Sequence, residues 1–251
     1  MLIADLLAYL DTLLSPAEFI DYAPNGLQIG KESSPVNKIG VAVSADLATI
    51  EAAVQNELDT LIVHHGIFWK NMPYPLTNSL YDRVYCLIKH NIQLLAYHLP
   101  LDANTKLGNN WRVACDLKWE NCENFGSTFP QLGVKGRFPR MHVRDFISLL
   151  SDYYNTPVKA VALGGEEYVS SAALVSGGAY REIVEAAKNK VDCFITGNFD
   201  EPAWSMAIEN KVNFIAFGHT QTEKIGPMAL ASHLESSLRI PTMFLDTKNP
   251  F

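Results

Sequence analysis

Six side chains have the types and spacing that metal chemistry uses. His64 and His65 are consecutive in the run LIVHHGIFWK (61 to 70), His98 and Asp102 make an H-x-x-x-D pair, and His219 and Glu223 make an H-x-x-x-E pair. Imidazole nitrogen and carboxylate oxygen together serve zinc, iron, manganese or cobalt without any thiolate. A single catalytic ion takes three protein ligands and an open position, so these donors exceed what one ion needs. Two ions a few ångströms apart, bridged by a carboxylate and a water-derived oxygen, use that number naturally. A plainer account of the histidine pair is a polar rim bonded to backbone and water, and the residues themselves leave both accounts open.

Elements that could position these groups are legible around them. Leu61, Ile62 and Val63 read as a buried strand, with the two histidines where it gives out and Gly66 permitting a turn. Neighbouring strand residues point to opposite faces, so adjacent imidazoles converge only if the backbone turns there. IGVAVS (39 to 44) predicts a strand, and Ser44 or Asp46 can cap the helix that follows. A proline-containing loop (71 to 78), a helix near 79 to 90 and a strand IQLLAYH (92 to 98) come next. Before them, MLIADLLAYLDTLL reads as an amphipathic helix and DYAPNGLQIG (21 to 30) as a turn into a strand.

The second half repeats this order. AALVSGGAYREIVEAAKNKVDCFITGN (172 to 198) lies over VAVSADLATIEAAVQNELDTLIVHH (41 to 65) with a small gap, Val43-Ser44 on Val175-Ser176 and Asp59 on Asp192. A helix (201 to 210) and a strand, VNFIAFGH (212 to 219), then mirror 79 to 98. The expected fold is α/β, with two similar, pseudo-symmetric lobes of mostly parallel sheet and the metal residues at strand C-terminal ends between them. The lobes are expected over 1-115 and 171-251, free to interleave, joined by 116-170, where His142 at a helix start reads as a capping or surface residue. His98/Asp102 and His219/Glu223 each follow the last strand of a lobe. His64 and His65 have Gly197 and Asn198 as counterparts, so the metal chemistry is asymmetric.

Composition narrows the function classes. The 251 residues are 48% hydrophobic, enough for a substantial core, with no run long enough to span a bilayer. The first helix carries Asp5 and Asp11 and no basic residue, unlike a signal peptide. Cys86, Cys115, Cys122 and Cys193 are scattered, which fits free thiols in a reducing cytoplasm. A net charge of -7 argues against non-specific nucleic-acid binding.

The blocks NGLQ (25 to 28), IVHHGIFWK (62 to 70), HLPLDA (98 to 103), GNN (108 to 110), FITG (194 to 197) and GHTQTE (218 to 223) together resemble the Nif-three-like dinuclear metal-centre proteins, the GTP cyclohydrolase 1 type 2 homologs. The resemblance runs from Asp21 to the final NPF. It implies two divalent ions held by His64, His65, Asp102, His219 and Glu223, with Glu223 bridging; His98 matches a family histidine beside the metals and reads as a catalytic proton relay or a support for the ligands rather than a main ligand, or as an ordinary strand-end histidine. It also implies a ring-shaped homohexamer. Many members carry a glutamate where this chain has Asn198 and a histidine where it has Thr220, and neither position belongs to the ligand set.

The activity so implied is hydrolytic opening of a purine nucleotide ring, with hydroxide attacking C8 and formate released. Phe68 and Trp69 could cover the base and Lys70 meet a phosphate, or all three could belong to a buried lid loop. No phosphate-cradling loop is evident, since Gly164-Gly165 and Gly177-Gly178 are isolated pairs. The alternative function is a non-catalytic metal-binding, metal-delivery or scaffold protein acting through protein partners.

Overall fold

Strand and helix alternate along the chain in a computed structural model, which describes residues 1–127 and 132–251. Helix α1 (Ile3–Leu14) buries Ile3, Leu6, Leu10 and Leu14, one stripe at helical spacing, and ends at Ser15 in the left-handed region. It is followed by β1 (Gly26–Ile29), β2 (Ile39–Ser44), α2 (Leu47–Gln55), β3 (Thr60–His65), α3 (Asn78–Lys89), β4 (Gln93–Ala96) and the short α4 (Leu99–Ala103). The chain then forms α5 (Trp111–Asp116), β5 (Glu120–Phe125), β6 (Gly133–His142), α6 (Val143–Tyr154), β7 (Ala160–Leu163), β8 (Tyr168–Val175), α7 (Ile183–Lys188), β9 (Cys193–Thr196), α8 (Pro202–Asn210), β10 (Asn213–Ala216) and α9 (His219–Thr222). Helix α10 (Ile225–Leu238) and β11 (Thr242–Phe244) complete it.

These elements make two compact units. One comprises Met1–Leu107 with Gly226–Asn249, the other Gly108–Ile225 with Pro250–Phe251. The first holds the sheet β1-β4-β3-β2-β11, in which β4, β3, β2 and β11 run parallel and β1 is antiparallel at the edge. The second holds β5-β6-β8-β9-β10-β7, whose parallel centre is β8-β9-β10. Both sheets are covered on both faces, which is why their central strands read as continuous apolar runs. In β3, Ile62 packs on one side with Leu6, Leu10 and Leu234, while Leu61 and Val63 pack on the other with Ile50 and Leu87. Ile195 and Phe194 of β9 divide in the same way.

Register shows how far the repeat goes. Thr60 pairs with Ile39 and Gln93, as Cys193 pairs with Ala172 and Asn213. Antiparallel edge strands match as well, Gly26 opposite Ala96 and Ala160 opposite Ala216. The repeated unit is therefore larger than the strand-helix-strand reading, running from α1 and β1 in one unit and from α6 and β7 in the other. Ile39 with Thr60 and Ala172 with Cys193 superpose without a gap, so Ser44 corresponds to Gly177 rather than Ser176. Among the described residues no helix is long and apolar enough to cross a membrane.

Candidate metal centre

In the first unit, His64 and His65 both remain inside β3, and their ring centroids are nevertheless 4.6 Å apart. They are its last two residues, where strand side chains lean along the chain direction and no further strand backbone separates them. A backbone turn at Gly66 is thus not what brings them together. Gly66 is needed for a different reason, because a Cβ there would overlap the Gln28 amide. Gln28 Oε1 accepts from Ile67 N at 2.8 Å and Phe68 N at 3.3 Å, holding the chain as it leaves the strand.

Each ring is fixed from outside. His64 is fully buried, with Nδ1 3.3 Å from the Tyr97 carbonyl oxygen. His65 Nδ1 lies 3.1 Å from Ser44 Oγ. Ser44 therefore serves the histidine, and the cap of α2 is Asp46, which accepts from Thr49 N at 2.7 Å. His98, just past β4 at the head of α4, donates its backbone N–H to Asn25 Oδ1 at 2.8 Å and places Nδ1 2.9 Å from Asp21 Oδ1. Ligand nitrogens of His64, His65 and His98 lie within 4.8 Å of one another. Asp102, 4% exposed on α4, has Oδ2 3.6 Å from His64 Nε2. That gap exceeds a hydrogen bond and suits two ligands of one ion, since bonds of about 2.0–2.2 Å near the tetrahedral angle span roughly 3.4 Å.

Asp21 was not evident from sequence as a site residue. Its carboxylate also accepts from Ala23 N, Leu99 N and Asn25 Nδ2 at 3.0 to 3.1 Å. Burial pushes its pKa up, but the His98 hydrogen bond and charge, with the Ala23 and Asn25 donors, outweigh that and hold it at about 2. Tyr22 and Trp69 stand edge-on to the His98 ring at 4.9 and 5.2 Å. Phe68, by contrast, packs into the apolar cluster under the sheet, so only Trp69 of that pair faces the histidines.

In the second unit, His219 and Glu223 occupy α9 and the residue after it, with Nε2 and Oε2 3.1 Å apart. Glu223 is 3% exposed. Gly177, at φ +65°, makes the cradle, for a Cβ there would overlap Glu223 Oε1 and press to 3.2 Å from His219 Nε2. The Gly177 carbonyl accepts from Gly197 N at 3.1 Å and Asn198 N at 2.8 Å, and its N–H donates to Thr222 Oγ1 at 3.0 Å. Asn198 thus acts through its backbone here, as does Thr220, whose N–H donates to Phe251 O at 2.7 Å. His142 caps α6, accepting from Arg144 N at 3.1 Å, as its position in the sequence suggested.

Nitrogen and oxygen donors, rings anchored at the nitrogen away from the cluster, and a glycine cradle all fit a transition-metal site. A family profile described as Duf34/NIF3 (NGG1p interacting factor 3) matches residues 1–250. The chain belongs to the Duf34/NIF3 family. It is 62% identical over 251 residues to a Chlamydia pneumoniae protein named GTP cyclohydrolase 1 type 2 homolog, with all of both chains covered. A Neisseria meningitidis serogroup B protein of the same name is 35% identical, covering 100% of this chain and 99% of its own. The crystal structure of TTHA1606 from Thermus thermophilus superposes with a TM-score of 0.89 at 34% identity over all of both chains. These findings bear out the family resemblance and the mixed α/β fold, and the Duf34/NIF3 chain carries a His/Asp/Glu donor set that could hold metal.

Proposed function

We propose that this protein is a metal-dependent hydrolase of the GTP cyclohydrolase 1 type 2 kind, in which His64, His65, Asp102, His219 and Glu223 would hold two divalent ions. The observation that carries the reading is the outside anchoring of the first unit's imidazoles beside a buried carboxylate, His64 Nε2 to Asp102 Oδ2 at 3.6 Å. When bound, the ions would supply acidification of a water and polarisation of the electrophile.

The chain's own residues do the rest. His98, held through Nδ1 by Asp21, presents Nε2 for proton transfer, its tautomer set by an acceptor that stays ionised near neutral pH. Tyr22 and Trp69 stand against that ring, limit water around it and offer flat surface to a purine. The reaction is hydrolytic attack at C8 of a purine nucleotide, in which one water opens the imidazole ring to a formamide and a second cleaves that formamide to an amine and formate. The reading includes a homohexamer, expected as six chain masses in light scattering.

The test is formate release from a nucleotide panel by protein loaded separately with zinc, iron, manganese or cobalt. Activity is expected with at least one ion, and His65→Ala or Glu223→Ala should reduce it at least 100-fold without lowering helix content. Stoichiometric metal with no turnover would replace the hydrolase with a metal-binding or delivery protein.

A further inference from the structure

Asn198 follows β9 in the second unit, and the Gly177 cradle uses only its backbone. Its side-chain amide is open to solvent and makes no hydrogen bond among the described residues. The chain that carries it is nevertheless fixed on both sides. Asn198 N donates to Gly177 O at 2.8 Å, and two residues on, Asp200 O accepts from Ala203 N at 2.9 Å. The Asp200 carboxylate accepts from Glu201 N at 2.8 Å and from the Tyr180 hydroxyl at 3.4 Å. A polar group on backbone held in this way meets a ligand at little further cost in ordering.

Gly178 keeps the space beside that amide open. A Cβ on Gly178 would lie 3.6 Å from Asn198 Nδ2 and 3.7 Å from His219 Cε1, so a single methyl group there would touch both at ordinary contact distance. Amide and imidazole therefore border one gap across a glycine. Gly178 is outside the left-handed region and a Cβ would clash with nothing, so the fold itself does not demand glycine at this position. His219 turns its Nε2 to Glu223 and its Cε1 edge to this gap.

We propose that Asn198 is a substrate-binding residue whose amide pairs with the six-membered-ring edge of a purine base lying over Gly178. This role rests on a purine nucleotide as the substrate, and it adds the residue that reads the base. An amide sets a donor beside an acceptor. It matches N1–H and O6 of guanine, or, turned over, N1 and the N6 amino group of adenine. A carboxylate in its place only accepts, and matches N1–H and the N2 amino group of guanine alone. The edge so read lies on the far side of the base from C8, so Asn198 takes part in binding and not in bond breaking.

The experiment titrates the zinc-loaded full chain with 7-deaza-GTP and 7-deaza-ATP. Their pyrrole rings lack the amidine carbon that water attacks, and their six-membered-ring edges are those of the natural bases, so binding is read apart from turnover. The unmodified protein is expected to bind the guanine compound. Asn198→Ala should weaken that binding roughly 10-fold, and Gly178→Ala at least as much by filling the gap, with zinc content unchanged in both. Asn198→Asp should raise the preference for the guanine over the adenine compound roughly 10-fold. Circular dichroism establishes that each variant is folded, and Gly178→Ala, which removes no polar group, decides the matter if the Asn198 variants are not. Nucleotide affinity unchanged by Asn198→Ala or by Gly178→Ala would overturn this role and leave the hydrolase to its own test by formate release. A guanine-to-adenine preference unchanged by Asn198→Asp would also overturn it. Unmodified protein that binds neither compound and releases no formate from any nucleotide would end both.

Discussion

The two units use one framework and put different chemistry on it. Equivalent strand positions carry the same buried devices. Gln93 accepts from Lys31 N and donates to Asn91 O, while Asn213, its counterpart in register, accepts from Gly165 N and donates to Glu166 O. Asp59 accepts from Asn37 N and Lys38 N, and Asp192 from Ser170 N and Ser171 N. At the strand ends the likeness stops. His64, His65, His98 and Asp102 of the first unit correspond to Gly197, Asn198, Gly218 and Thr222 of the second. His219 and Glu223 each fall one residue later than His98 and Asp102, so the second acid-histidine pair is not a copy of the first. The first unit also has the longer connection after its histidine strand, from Gly66 to Thr77, and this carries Trp69. Polar groups inside a sheet must be satisfied wherever they occur, which fixes the framework, whereas groups past the strand ends are under no such constraint.

The sharpest way to break the comparison is to remove the paired aspartates. Asp192 accepts from two backbone N–H groups and two hydroxyls, with Ser171 buried, so Asp192→Ala should cost about 3 kcal/mol by stranding donors away from water. Asp59, half-buried like Asp192, takes most of its bonds from the exposed Asn37, whose donors water can satisfy, and Asp59→Ala should cost about 1 kcal/mol. Urea melts of the two variants measure the difference. Equal losses would mean that the shared framework matters more than burial.

A second, smaller effect belongs to the first unit alone, because Gly218 stands where His98 would have to be for the second to have it. Asp21 has a folded-state pKa of about 2 against an ordinary 3.8. A lowered pKa contributes stability that is fully present above about 3.8 and is lost as pH falls through about 2. The difference is worth about 2 kcal/mol. In metal-free protein, the stability gap between the unmodified chain and Asp21→Asn should be widest at pH 5 and narrow steadily towards pH 2. A gap that does not change with pH would show that Asp21 acts only as a neutral hydrogen-bond acceptor.

Much of this was legible in the sequence, for reasons tied to particular residues. Val41, Ile62 and Phe214 lie in sheets covered on both faces, so their strands appear as apolar runs, and the stripe of Ile3, Leu6, Leu10 and Leu14 marks α1. His64, His65, Asp102, His219 and Glu223 stand out by type. Asp21 does not, since an acid in a proline-containing turn looks like any turn acid until the fold brings His98 to it over 77 residues. Ser44 beside Asp46 offered two caps, and only the neighbouring strand shows that the hydroxyl belongs to His65. The one-residue slip between the H-x-x-x-D and H-x-x-x-E pairs is invisible for the same reason, because strand phase is set by the ladder with the partner strand.

The smallest effect sharpens the comparison at the first helix of each repeat. Residues 47 to 55 form α2 as one regular helix, while the corresponding residues 180 to 188 begin as a 3-10 turn, Tyr180–Glu182, before α7. Asp46 caps the former, and Ala179 in the equivalent place has no acceptor to offer the first turn. Asp46→Ala should therefore cost about 1 kcal/mol. Ala179→Asp should return less than that, about 0.5 kcal/mol, because Ala179 sits at φ -114° and ψ 25° rather than in the extended conformation of a cap, and its backbone would have to move. Thermal melts of the two variants measure both. If Ala179→Asp gains as much as Asp46→Ala loses, the 3-10 turn results from the missing side chain alone. If it gains nothing, the 177–179 backbone is held by Gly177 and the Glu223 cradle, and the second unit's helix start is set by its site.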